Sequence, residues 1–142
     1  MKPPVETVRI SQQGRDQLIK LKRATGIEHW NIICRWALCV SLREPTVPIR
    51  AISSPSEGGV EISWKIFSGD LSDVLAALVF SRATKDRVDT TDPTALASYF
   101  RDHVHRGLGY LASGKETSDL SDLFVRWLSE RSNLKNLRAV PG

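Results

Sequence analysis

The period of apolar and polar positions changes repeatedly along this chain, and each change marks an element. Val5 to Ile10 alternates, which predicts a short strand with Glu6, Val8 and Ile10 on one face and Val5, Thr7 and Arg9 on the other. A lone strand leaves backbone groups unpaired, so it needs a partner elsewhere in the chain or in a second copy. Ser11 then offers an N-cap for a helix over 12–25, and Gly26 a left-handed residue to end it. A second helix over 28–43 is apolar around nearly its whole circumference, with Asn31 and Arg35 as polar exceptions. In so short a chain such a helix is hard to cover, which points to an oligomer interface built on Trp30, Ile33, Trp36, Ala37 and Val40. Arg35 is either a buried, paired arginine or a ligand-facing one, and the need of a buried guanidinium for a fixed partner favours the first.

Prolines 45, 48 and 55, with nearby serines and glycines, make 45–59 a loop and the one internal boundary. Alternation resumes over Val60 to Phe67, predicting a half-buried strand with Val60, Ile62, Trp64 and Ile66 inward. Leu71, Val74, Leu75, Leu78 and Val79 mark the apolar stripe of a helix over 71–83. Asp92 before Pro93 gives an N-cap with proline at the first helical position, opening a helix to Ala112 on which Leu96, Phe100, Val104, Leu108 and Leu111 recur. A last amphipathic helix over 119–131 carries Leu120, Leu123, Phe124, Trp127 and Leu128. The expected architecture is therefore mainly α: a strand-helix-helix unit resembling the ribbon-helix-helix order, followed by a short strand and three further helices. A chain of 142 residues is expected to form one domain.

Charge sharpens this picture in the first third. The net charge is +4 overall, but residues 1–50 hold nine Lys or Arg against four Asp or Glu, whereas residues 51–142 hold eleven against twelve. A basic segment beside a near-neutral remainder suits a polyanion-binding face. On the first helix, with Arg15 at zero, Lys22 falls at about −20°, Arg23 at about 80° and Lys20 at about 140°, while Leu18 falls at about −60° and Leu21 at about −120°. Arg15, Lys20, Lys22 and Arg23 are thus the candidate phosphate contacts, with Arg9 assisting from the strand.

No apolar run reaches the length of a membrane span, and the N-terminus lacks the apolar region of a secretory signal, so a cytoplasmic protein is expected. Cys34 and Cys39 lie five apart on one helix, too far around its axis to pair, and read as buried reduced thiols. His103 and His105 sit about 200° apart on a helix and cannot share a metal there, so packing beside Gly107 and Gly109 explains them better than catalysis. Asp70, Asp73, Asp86, Asp89 and Asp92 suit capping and solvated roles. No phosphate-cradling glycine loop or nucleophile motif stands out, and neither a cofactor nor a metal is expected.

The stretch from Leu21 to Ile27, Asn31 to Leu38 with its Cys34-Arg35-Trp36 centre, and Ser41 to Pro45 resembles the N-terminal signature of the DndE family of DNA phosphorothioation proteins. Phe67-Ser68-Gly69 and His103 to Leu108, followed by Tyr110-Leu111, resemble its later segments. The likeness spans residues 7–112, leaving 113–142 as a lineage-specific helix and tail. It implies a non-catalytic subunit that works with sulfur-transfer (DndC-like) and ATPase (DndD-like) subunits, forms a homotetramer and binds DNA, notably nicked duplex, through a lysine-rich surface. The rival reading is a ribbon-helix-helix transcriptional regulator or antitoxin, which would pair strands between two chains and prefer one operator sequence. A DNA-nicking activity of the chain itself would need an acid-base or ligand cluster that does not stand out.

Overall fold

The computed structural model describes residues 2–50 and 59–113. Its elements run β1 (Thr7–Ile10), α1 (Gln12–Thr25), α2 (Trp30–Arg43), β2 (Val60–Ser63), α3 (Trp64–Ser68), a 3-10 turn at Gly69–Leu71, α4 (Ser72–Lys85) and α5 (Pro93–Ser113). The fold is mainly helical and opens with the expected strand-helix-helix order. The predicted helix over 119–131 lies outside the described residues.

β1 finds its partner within the chain. It pairs antiparallel with β2, Thr7 opposite Ser63 and Ile10 opposite Val60. Val8 and Ile10 enter the core, while Thr7 and Arg9 face outward. The second strand ends earlier than its alternation predicts. Ser63 Oγ accepts a hydrogen bond from the Ile66 amide at 3.3 Å and caps α3, so the backbone turns helical at Trp64. That change of period sends Ile66 into solvent and Phe67 into the core, reversing the expectation for these two, while Ile62 and Trp64 are buried as expected.

Local signals set the ends of α1 and α5. Ser11 Oγ accepts from the Gly14 amide at 3.1 Å, and Gly26 closes α1 in the left-handed region at φ 73°. Asp92 Oδ1 accepts from the Thr94 amide at 3.0 Å, just ahead of α5. Asp86 and Asp89 are likewise engaged locally, by Arg82 and Tyr99 and by Thr91.

α2 is the centre of the molecule. It packs most extensively on α5, and also on α3 and α1. The closest approach is at Gly107, where an added Cβ would overlap the carbonyl oxygen of Ala37. Three residues expected at an oligomer interface, Ile33, Ala37 and Val40, are consequently buried in the chain's own core, because neighbouring helices cover most of α2. Trp30 and Trp36 stay half-buried, and Cys39, expected inside, is exposed, while Cys34 is buried and its thiol pushed up to about 12 by desolvation.

The apolar stripe expected on α4 divides in two. Leu75, Ala76, Val79 and Ala83 face the core, whereas Leu71, Val74 and Leu78 are 46%, 57% and 46% exposed. Among the described residues, open apolar surface therefore lies on the 3-10 turn and α4, with Ile66 of α3 and with Ile19, Val47 and Ile49, more than on α2.

The C-terminal end of α2 is held by two arginines from other helices. Arg82 of α4 donates to the carbonyls of Leu42, Glu44 and Thr46 at 2.7, 2.6 and 3.0 Å. Arg106 of α5 donates to Ser41 Oγ, the Ser41 carbonyl and the Thr46 carbonyl at 2.8, 2.7 and 2.9 Å. Carbonyls at a helix C-terminus lack intrahelical partners and carry partial negative charge, so two guanidinium forks satisfy both needs.

Candidate nucleic-acid interface

The outer face of α1 is the candidate phosphate-binding surface. Leu18 and Leu21 anchor its inner side in the core, and Gly14 brings it close to α5, since a Cβ there would lie 2.6 Å from Ile10 Cγ2 and 3.4 Å from His105 Nε2. On the opposite side Arg15, Lys22 and Arg23 are all exposed. Lys22 also borders a small groove of about 270 Å³ that contains His29, Trp30 and Asn31.

Two of the predicted contacts are placed elsewhere. Lys20 Nζ donates to the Ala112 carbonyl at 3.0 Å, where it complements the C-terminal end of α5. Arg9 lies on β1 beside Glu61, 3.6 Å away in an exposed pair, so its charge is partly offset. The structure thus groups Arg15, Lys22 and Arg23 on one helix face and separates Lys20 and Arg9 from them. Arg35 lies against Gly69, where an added Cβ would be 3.5 Å from its Nη1, consistent with a packing role between α2 and the 3-10 turn.

His105 of α5 supports this surface from behind. His105 Nε2 accepts from the Ser11 backbone amide at 3.0 Å, and its Nδ1 donates to the Arg101 carbonyl at 2.8 Å. The ring is therefore the neutral Nδ1–H form and fastens the N-cap of α1 to α5. His103 projects to the other side of α5, as a separation of about 200° requires, and its Nδ1 meets Ser41 Oγ at 2.7 Å. Gly107 sits in close packing beside it, but Gly109 faces open space.

His103 is 1% exposed, and burial followed by the nearby Arg106 and Arg82 guanidinium groups lowers its pKa to about 4. The unfolded chain binds this proton more readily, so the associated stability is complete above pH 6.5 and is lost as pH falls toward about 4. Over that window a loss of about 3 kcal/mol is expected. His105, also lowered chiefly by burial, acts in the same direction. Urea unfolding across this range should show the fall, and His103→Asn should flatten it; an unchanged pH slope would refute the assignment.

The clamp made by partly buried Arg82 and Arg106 escaped sequence reasoning because their partners at the end of α2 lie 36 to 65 residues away. No local spacing signals such contacts. Among the described residues, no helix is long and apolar enough to cross a membrane.

Residues 7–119 match the family described as DNA sulphur modification protein DndE. A search of curated proteins gives no match. The fold is similar to the crystal structure of DndE from Escherichia coli B7A involved in DNA phosphorothioation modification, with a TM-score of 0.61 and 24% identity over 78% of this chain and 98% of that one. At that identity the structural likeness speaks for the fold, and the family match, which covers most of the chain, decides membership: the chain belongs to the DndE family of DNA sulfur-modification proteins.

Proposed function

We propose that this protein is a non-catalytic, DNA-contacting subunit of a DNA phosphorothioation system, and that the outer face of α1 touches backbone phosphates. The observation that carries this reading is the exposed grouping of Arg15, Lys22 and Arg23 on a helix whose opposite face is locked into the core. Cationic side chains on a rigid surface neutralise phosphates without reading base edges, so they supply affinity and leave sequence choice to another subunit. Three charges per copy are few, and a homotetramer would array several such faces along one duplex. Such an assembly has open apolar surface to draw on at Leu71, Val74 and Leu78, with half-buried Trp30 and Trp36 nearby in sequence to the core of α2. Sulfur-transfer (DndC-like) and ATPase (DndD-like) subunits would supply the chemistry, and a nicked duplex is the DNA to test first. A location in the cytoplasm, where the DNA is, fits this role.

The pairing of β1 with β2 inside one chain favours this reading over a ribbon-helix-helix regulator, whose strands pair between chains. Replacing Lys22 and Arg23 together by Glu should weaken binding to nicked duplex at least tenfold at low salt and reduce the salt slope, with the oligomer unchanged in mass. Equal affinity of the double variant at low salt would overturn the assignment.

A further inference from the structure

β1 has a second edge, and its backbone geometry shows what that edge offers. The Trp64 amide donates to the Glu6 carbonyl at 2.9 Å, which makes Glu6 opposite Trp64 a hydrogen-bonded rung. By alternation Val8 with Ile62 and Ile10 with Val60 are also bonded rungs, and Thr7 with Ser63 and Arg9 with Glu61 are not. The N–H and C=O groups of Thr7 and Arg9 therefore point away from β2. Among the described residues the sheet has two strands, and no third strand meets that edge.

The edge opens on a groove of about 710 Å³ whose far wall is the first turns of α5. Thr94, Ala97, Ser98 and Arg101 form that wall, at the spacing of a single helix face. Ala97 and Ser98 are small and leave room beside the strand, and buried Val5 and Phe100 also line the groove. A strand edge facing a helix across a groove is the geometry in which proteins add an extended peptide as a further strand: main-chain bonds give affinity, and alternate side chains give selectivity.

Charge selects the occupant. Lys2, Arg9 and Arg101 line the groove with one carboxylate, Glu6, and Glu61 of β2 partly offsets Arg9, so the formal balance of the groove stays positive. A second copy of this edge would bring like charges together, and duplex DNA has no backbone groups that can extend a β-ladder. We infer that the free edge of β1 and the facing turns of α5 form a docking groove for an extended, acidic segment of a partner protein, bound by strand addition. This surface is distinct from the outer face of α1.

An octapeptide of alternating valine and glutamate, titrated into the full chain, tests this. Amide hydrogen exchange at Thr7 and Arg9 should slow at least tenfold, while Val8 and Ile10, already bonded to β2, should change little. Thr94→Glu and Arg9→Glu alter exposed positions and should each weaken peptide binding at least fivefold, with unchanged circular dichroism. Peptide-independent but concentration-dependent protection would assign the edge to a second copy and overturn the inference. So would equal binding of a valine-lysine octapeptide, protection of Thr7 and Arg9 by duplex DNA, or no protection at all.

Discussion

Replacing Gly107 with alanine is expected to destabilise the protein by about 3 kcal/mol or more. An added Cβ would overlap the Ala37 carbonyl oxygen and stand 2.7 Å from its Cα, and these are backbone atoms in the middle of α2. No rotamer change relieves such a contact, so α2 and α5 must separate. Their separation would also lengthen the bonds from Ser41 to His103 and Arg106, which span the same interface. Alanine favours the helix over glycine by about 1 kcal/mol, which is too little to offset the clash. Gly109 provides the control. It lies in the same helix with nothing within 4 Å of an added Cβ, so Gly109→Ala should leave stability equal or raise it by about 0.5–1 kcal/mol. Urea unfolding of both variants decides the matter, and a Gly107→Ala protein as stable as the parent would show that the two helices have room to move.

The contrast between these glycines illustrates what a sequence conceals. Both fall one turn after a histidine, and local spacing cannot separate a glycine under another backbone from one in open space. Where the deciding contacts lie within a few residues, the fold was legible: Ser11 caps α1, Gly26 ends it, and Asp92 with Pro93 opens α5. Val60 to Phe67 was misleading because a four-residue strand followed by a turn of helix can imitate eight alternating residues. Ser63 is the feature that distinguishes them, since a serine before an amphipathic stretch is also an N-cap.

The candidate site was legible to the extent that one helix carries it. The phase of Arg15, Lys22 and Arg23 follows from helical geometry alone, whereas Lys20 was claimed by the end of α5, an element 92 residues away. For α2, hydrophobicity predicted burial but not what would do the burying. The answer was chiefly α5, and among the described residues Ile33, Ala37 and Val40 are buried while Leu71, Val74 and Leu78 are open. Each correction has one physical source: a side chain's neighbours depend on contacts distant in sequence, and its phase along an element does not.

Arg82→Met should cost about 3–5 kcal/mol, the largest loss expected from a single side chain outside the core helices' contact. Arg82 fastens the segment after α2 through three carbonyls, and its Nε bonds Asp86 Oδ2 at 3.0 Å with both side chains about nine-tenths buried. Asp86 also accepts from the Tyr99 hydroxyl at 2.5 Å, so removing the guanidinium leaves a buried carboxylate with one neutral donor. Lysine keeps the charge but has no planar fork to reach several carbonyls, and Arg82→Lys should recover less than half of the loss. The double variant Arg82→Met with Asp86→Leu removes both buried charges and should be more stable than Arg82→Met alone, because the orphaned carboxylate is then gone. A double-mutant cycle measured by urea unfolding isolates that coupling. Faster amide exchange at residues 42–46 in Arg82→Met would report release of the carbonyl clamp independently of global stability. Additive losses in the cycle would mean that the pair is not coupled, and that Arg82 acts through the carbonyls alone.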